Sequence, residues 1–352
     1  MLKVLLADDS ATARQALKYI ILQADDMEVV GEAFNGRQAV EMTEALRPDV
    51  ILMDIVMPEM DGLEATSEIM QRTPTPIVVV SSTVDGPETK TAFQAIRAGA
   101  LTVLPKPVGI GSSDYPKQSR NLQNTVKAMA GVSVIHHRKY HSARPQAIAP
   151  ADLTPVNISG SSPEIVAIVA STGGPGALGE IASLLPPDFP LPIVVVQHIT
   201  PDFLPSMIKW LDMVSLLSVS IANEGDSPKP GNIYLAPGNM HLSLNSRRRF
   251  HLVDDIKARY TPSGDVMLKS VAQQYGANAI GVVLTGMGDD GAEGLRAMYH
   301  AGAYTIAQDE ATSAVFGMPR AAIEAGAARQ ILPLSDIPAT VVEFARRQEP
   351  LS

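Results

Sequence analysis

Chemistry in this sequence is concentrated where short apolar runs end. In the first third of the chain, Asp8 and Asp9 follow Lys3–Ala7, Asp54 follows Val50–Met53, Ser81 follows Pro76–Val80, and Lys106 comes just after Leu101–Leu104. Three carboxylates gathered at one place repel each other unless a cation compensates. A hard, oxygen-preferring Mg²⁺ does that and holds a phosphoryl group as well. Asp54 can then act as nucleophile toward a phosphoryl donor and form an acyl phosphate. Lys106 would pair with the phosphate as a point charge, and Ser81 would donate a hydrogen bond to it. One Asp after one apolar run is ordinary turn chemistry; the full set in order is not. The Lys106-Pro107 bond is also a candidate cis peptide.

The second half carries another set. Ser171 and Thr172 follow Ile165–Ala170, His198 follows Ile193–Gln197, and Asp289 and Asp290 lie in Thr285-Gly-Met-Gly-Asp-Asp-Gly after Ile280–Leu284. Ser, His and Asp at the ends of three strands are the ingredients of a nucleophile, a base and an orienter. A serine at a strand-to-helix turn also lies near helix N–H groups that can stabilise an oxyanion. The order Ser…His…Asp differs from the Ser…Asp…His of α/β-hydrolases, and the Gly-x-Ser-x-Gly elbow is missing. Gly174-Pro-Gly-Ala-Leu-Gly and Gly286-Met-Gly-Asp-Asp-Gly both match G-x-G-x-x-G, a dinucleotide fingerprint. Asp289 and Asp290 would repel a pyrophosphate, however, and the strand after the first loop ends in Gln197-His198 rather than an acidic ribose partner.

The elements that must position these residues can be read from the same runs. In residues 1–107 five apolar runs alternate with helical patterns such as Ser10–Gln23, Gly36–Arg47 and Gly86–Ala98, with a further helix within Lys117–Ala130. That rhythm predicts a parallel sheet with right-handed crossovers. It resumes at Ile165, with further strands at Asn232–Ala236 and Tyr304–Ala307 and helices at Pro175–Leu185, Phe203–Leu211, Val266–Tyr275, Ala292–Ala301 and Ile337–Arg347. Between the two lies a Ser-, Pro- and His-rich basic segment that reads as a tether. Its His136, His137 and His141 have no carboxylate or thiol beside them to complete a metal site. The expected organisation is residues 1–130, a flexible linker over 131–160, and residues 161–352.

Composition narrows the function classes. The 352 residues include no cysteine and are 45% hydrophobic, which removes thiolate nucleophiles and Cys-ligated metals and provides for a sizeable core. Residues 1–107 hold 9 Lys and Arg against 16 Asp and Glu, and residues 161–352 hold 13 against 19; the stretch between is basic, 6 against 2. Nucleic acid is therefore a poor partner for either acidic block. The run Arg247-Arg248-Arg249 reads as a solvated turn before a strand. No window has the roughly 18 apolar residues of a membrane span, and the acidic start is unlike a signal peptide. The expectation is a cytoplasmic protein without membrane insertion.

The segments Leu6-Ala-Asp-Asp-Ser, Met53-Asp-Ile-Val-Met-Pro-Glu-Met-Asp-Gly, Val80-Ser-Ser and Leu104-Pro-Lys-Pro resemble the receiver domain of two-component response regulators. That resemblance implies a flavodoxin-like five-stranded parallel sheet, phosphorylation at Asp54 with a histidine kinase as donor, Mg²⁺ held by Asp8, Asp9 and Asp54, and phosphate contacts from Ser81 and Lys106. Ala170-Ser-Thr-Gly-Gly, Val196-Gln-His, Tyr234-Leu-Ala-Pro-Gly, Leu284-Thr-Gly-Met-Gly-Asp-Asp-Gly and Phe316-Gly-Met-Pro-Arg look like the chemotaxis protein-glutamate methylesterase family. This second resemblance implies a doubly wound α/β domain with Ser171 as nucleophile, His198 as base and Asp290, the second Asp of the pair, as orienter. Thr172 and the backbone around Met287 would support the oxyanion, and ester hydrolysis itself would need no cofactor. The implied substrates are γ-glutamyl methyl esters, and certain glutamines, of methyl-accepting chemotaxis receptors. The receiver would cover the catalytic edge until Asp54 is phosphorylated. Two departures stand out. Val169 occupies a position that is commonly Gly in the family, and Tyr260-Thr-Pro-Ser-Gly-Asp stands where His-Arg-Pro-Ser-Val-Asp is frequent.

Overall fold

The computed structural model describes residues 1–81, 94–96, 98–132, 162–254 and 259–346. These fall into two compact units, Met1–His141 and Ser142–Ser352. The expected tether with His136, His137 and His141, and most of the expected helix Gly86–Ala98, lie outside the described residues.

In the first unit, strands β1 (Leu2–Ala7), β2 (Met27–Ala33), β3 (Val50–Met53), β4 (Ile77–Ser81) and β5 (Thr102–Pro105) form one sheet in the order β2-β1-β3-β4-β5, with every pairing parallel. This is the flavodoxin-like order. β1, β3 and β4 are almost wholly buried, as a parallel sheet covered on both faces requires. Register then fixes the site. Ala7 pairs with Met53, so Asp8 and Asp54 emerge side by side, and Ser81 pairs with Pro105, which delivers Lys106 to the same edge. The helices start at polar caps: Ser10, Asn35 and Asp61 each accept a hydrogen bond from the third residue onward. The helix Gly62–Arg72 fills the crossover between β3 and β4, which the strand–helix rhythm predicts without giving its bounds.

The second unit contains a seven-stranded sheet in the order β14-β13-β12-β6-β7-β9-β8, again parallel throughout. Its strands are β6 (Ile165–Ala170), β7 (Ile193–Gln197), β8 (Ser218–Ile221), β9 (Asn232–Leu235), β12 (Ala279–Val283), β13 (Tyr304–Gln308) and β14 (Gln330–Leu332). From β6 the chain turns to β7 on one side and later returns through β12 on the other. β6 is therefore the topological switch point, where open α/β sheets bind ligands beyond the carboxyl ends of their strands. An antiparallel hairpin, β10 (His241–Leu244) and β11 (Phe250–Val253), stands apart. Arg247–Arg249 lie in the turn that leads into β11, with Arg248 paired to Glu164 and Arg249 to the Gly225 carbonyl. Among the described residues no helix is long and apolar enough to cross a membrane.

Candidate functional site

At the switch point, Val169 pairs with Val283 and Ala170 with Gln197. Ser171, His198 and Thr285 consequently leave three adjacent strands at one edge. The Ser171 N–H donates to the Thr285 carbonyl at 3.0 Å, and the His198 N–H donates to the Ala170 carbonyl at 3.0 Å. The His198 ring reaches across β6 to Asp290, with Nε2 2.8 Å from Oδ2. Its other face lies parallel to the Tyr260 ring, the centroids 5.2 Å apart and the planes 3° off parallel. Thr172 and Met287 sit on the two loops flanking Ser171, tied to each other by the Thr285 hydroxyl, which donates to the Thr172 carbonyl at 2.9 Å. The N–H groups of Thr172 and Met287 make no hydrogen bond among the described residues.

Of the two neighbouring aspartates, Asp289 is exposed and binds Arg259 and the Tyr260 hydroxyl. Asp290 is buried and surrounded by donors. Ser263 Oγ lies 2.8 Å from Oδ1, the Gly264 N–H 2.6 Å from Oδ2, and the Asp265 N–H 3.0 Å from Oδ1. These three residues open the helix Gly264–Tyr275, so the carboxylate sits on a helix N-terminus, a natural anion site. Burial pushes the Asp290 carboxyl upward, yet the His198 hydrogen bond and charge and the Gly264 and Asp265 N–H groups outweigh it. The net shift is below the ordinary carboxylate value.

Sequence reasoning missed this cradle. A cue was present in Ser263-Gly-Asp-Val, a helix-start signature, but not its pairing with a loop some 25 residues later in the chain. The two departures from the family pattern also meet here. A Cβ on Gly264 would fall 2.3 Å from Val169 Cγ1, so the bulk added at 169 occupies the space vacated at 264. The site as a whole contains a bond expected elsewhere: the cis peptide is Thr261–Pro262, and Lys106–Pro107 is trans. The Pro107 ring lies on no tight turn that would favour the cis form.

At the edge of the first sheet, Asp8 and Asp54 are buried and Asp9 is exposed. One oxygen from each lies within 4.8 Å of the other two. Lys106 Nζ bridges the buried pair, 2.7 Å from Asp8 Oδ2 and 2.8 Å from Asp54 Oδ2. Ser81 is buried at the end of β4, and its carbonyl accepts the Lys106 N–H at 2.9 Å. Arg14, missed from sequence, braces the loop by donating to the Asp8 and Asp9 carbonyls at 2.6 and 3.1 Å. Burial raises the Asp54 carboxyl above its usual range, and the Lys106 hydrogen bond and charge only partly reverse that. One ammonium is set against three carboxylates, and the donors are all hard oxygens. The set fits a divalent cation of the Mg²⁺ type.

A receiver-type sheet with an acidic pocket, followed by an α/β unit with a Ser-His-Asp edge, defines a response regulator with a hydrolase-like output domain. Comparison with known proteins agrees. Residues 4–112 match the response regulator receiver domain and residues 166–341 the family described as CheB methylesterase. A Myxococcus xanthus protein named protein-glutamate methylesterase/protein-glutamine glutaminase 4 is 42% identical over 339 residues, covering 96% of this chain and 95% of its own. A relative of the same name, numbered 2, from Paramagnetospirillum magneticum is 42% identical over 347 residues, 98% and 97% of the two chains. The crystal structure of the Thermotoga maritima CheB methylesterase catalytic domain, 42% identical, superposes with a TM-score of 0.51 over 52% of this chain and 99% of that one. The chain belongs to the CheB methylesterase family, with a receiver domain ahead of the methylesterase domain.

Proposed function

We propose that this chain is a phosphorylation-activated hydrolase that removes methyl esters from glutamate side chains, and deamidates glutamines, on the cytoplasmic helical region of methyl-accepting chemotaxis receptors. The observation that carries this reading is the half-buried His198 ring held at 2.8 Å by the buried Asp290 carboxylate, one strand away from Ser171 at a topological switch point. Because Nε2–H is committed to Asp290, Nδ1 is the nitrogen left to accept a proton. Among the described residues no hydrogen bond yet joins it to Ser171 Oγ, as is common before substrate tightens such contacts.

In the reaction Ser171 Oγ attacks the ester carbonyl carbon and its proton passes to His198 Nδ1. The imidazolium is stabilised by Asp290, and the oxyanion by the N–H groups of Thr172 and Met287. Collapse breaks the acyl–oxygen bond and the leaving methoxide takes the proton from His198 as methanol. Water, deprotonated by the same nitrogen, then releases glutamate from Ser171. With a glutamine side chain the leaving group is ammonia and the acyl chemistry is unchanged.

In the receiver, Asp54 accepts a phosphoryl group from a histidine kinase, Lys106 pairs with it, and Ser81 donates to it. Asp8, Asp9 and Asp54 would hold Mg²⁺, which when bound neutralises phosphoryl charge. Phosphorylation relieves inhibition of the esterase by the receiver. The test is methanol release from membranes bearing methylated receptors, with a small-molecule phosphodonor and Mg²⁺. Ser171→Ala is expected to lose at least about 10³-fold in rate, and near-full release by that variant would overturn the reading. Asp54→Ala is expected to keep basal release and lose its stimulation.

A further inference from the structure

Gln197 is the last residue of β7, immediately before His198, and is only 4% exposed. Its Nε2 lies 2.8 Å from the Ser171 carbonyl oxygen and 3.0 Å from the His198 carbonyl oxygen. An atom touching two carbonyl oxygens must be the amide nitrogen, so chemistry fixes the orientation of the side chain. The other amide atom, Oε1, is buried and makes no hydrogen bond. It lies against the first turn of the helix Gly174–Leu184, where a Cβ on Gly174 would fall 2.1 Å from it. Gly174 is thus required for the amide to fit, and the positive helix end faces the unpartnered oxygen.

A buried polar atom left without a partner is costly, and a leucine or methionine of similar length would avoid that cost. Packing alone therefore gives no reason for an amide here. What the amide does that no apolar side chain can is hold the main chains of two residues from different strands on one nitrogen. Those residues are Ser171 and His198. We infer that Gln197 is a positioning residue whose amide sets the spacing at which the Ser171 hydroxyl and the His198 imidazole meet. The inference rests on the reading of those two residues as nucleophile and base.

The backbone bonds that also locate the pair, Ser171 N–H to Thr285, His198 N–H to Ala170 and Gly174 N–H to the Ser171 carbonyl, would survive loss of the side chain. The carbonyls of Ser171 and His198 would not keep their common tie. A displacement of order 1 Å at a reacting pair lowers the rate by up to about 10²-fold.

The test uses the full-length protein, phosphorylated as above, with methylated receptor membranes as substrate and thermal unfolding measured in parallel. Gln197→Leu is expected to lower kcat about 10- to 100-fold with KM within about twofold of wild type and the unfolding temperature retained. Gln197→Glu provides a readout that general loosening would not produce. Its protonated carboxyl donates one hydrogen bond, whereas its carboxylate donates none and repels both carbonyls. The ratio of Gln197→Glu to wild-type kcat should rise as pH falls and the introduced carboxyl takes up its proton. A Gln197→Leu kcat within twofold of wild type, or an effect confined to KM, overturns the inference. If Gln197→Leu does not fold, a pH-independent ratio for Gln197→Glu overturns it. Ser171→Ala serves as the separate arm. Activity in that variant refutes the nucleophile assignment, while an inactive Ser171→Ala beside a fully active Gln197→Leu refutes only the positioning role.

Discussion

Asp54 and Asp290 are both buried, 6% and 3% exposed, and both stand at the carboxyl ends of parallel sheets, yet their surroundings are opposite. Asp54 receives one backbone N–H, from Ile55 at 2.8 Å, and a lysine that it shares with Asp8. Burial holds its carboxyl above the ordinary range because the donors do not suffice. Asp290 receives two N–H groups, a hydroxyl and an imidazole, and these overcome a comparable burial penalty to hold it below that range. A deficit of donors around clustered carboxylates suits a place that takes up positive charge, as the proposed phosphorylation of Asp54 requires. A complete set marks a fixed anion that orients a neighbour and does not itself change state.

The harshest test of this contrast is Asp290→Asn. An amide there keeps its oxygen at the Oδ1 position, accepting from Ser263 and Asp265, and sets its NH₂ at the Oδ2 position, toward His198 Nε2 and against the Gly264 N–H. The imidazole proton is then driven to Nδ1, the nitrogen that accepts from Ser171 in the proposed mechanism. The expected loss of methanol release is about 10⁴-fold, and retention of a tenth of the activity would break the contrast. Stability has a definite sign as well. The folded-state value of Asp290 is depressed, so its contribution is present above the ordinary carboxylate value of 3.8 and lost as pH falls through the folded value. Denaturant unfolding should show Asp290→Asn less stable than wild type at neutral pH, with the gap closing in acid.

Asp54 should behave in reverse. Its folded-state value is raised, so its ionisation costs stability above that raised value, and the penalty is relieved as pH falls back toward 3.8. Asp54→Asn is expected to abolish acid-labile phosphate incorporation and to raise the unfolding temperature of the receiver unit at neutral pH. Mg²⁺ is expected to stabilise wild type by mass action and to stabilise Asp54→Asn much less. Equal Mg²⁺ responses in calorimetry would mean that Asp54 does not help hold the cation.

The contrast also explains what could be read from the sequence. Strand ends followed by Asp8, Asp54, Lys106, Ser171 and His198 were legible because largely apolar runs announce buried parallel strands, and register in such sheets places whatever follows. The choice of Asp290 over Asp289 was not legible from the residues themselves and came from resemblance. It depends on which of two adjacent side chains meets a helix N-terminus formed elsewhere in the chain. The strands β8 (SVSI), β10 (HLSL), β11 (FHLV) and β14 (QIL) are short and each carries at least one polar residue, so none shows as an apolar run. Gln197 was visible only as a strand end, since the value of its amide lies in two carbonyls that meet only on folding.

The donor cradle can be strained without touching a charged group. In Gly264→Val the new side chain collides with Val169, and overpacking of this kind costs about 1–3 kcal/mol. It also displaces an N–H that lies 2.6 Å from Asp290. Gly264→Val is expected to lose both stability and activity, and Val169→Gly in the same chain should recover more than half of each. The coupling energy from denaturant melts of the four chains measures this contact directly. Strict additivity would show that the two departures from the family pattern are independent.

The smallest expected effect concerns the exposed partner of the pair, Asp289. Tyr260 joins the two halves of this corner: its ring lies against His198 and its hydroxyl donates to Asp289 at 3.2 Å. Arg259 covers the ring at 5.0 Å and pairs with the same carboxylate. Burial and then the Asp289 charge hold the phenol above its ordinary value of 10, so it stays a proton donor throughout the working range. Stacking needs only the ring. Tyr260→Phe keeps that ring and removes the link to a solvated anion, so kcat should fall by no more than about threefold, the range of a surface contact. Tyr260→Ala frees one face of the imidazole and should cost about tenfold, or roughly 1.4 kcal/mol. A loss near 10²-fold in Tyr260→Phe would place the hydroxyl, and Asp289 through it, in the chemistry, and would end the division between an anion that orients the base and one that merely faces solvent.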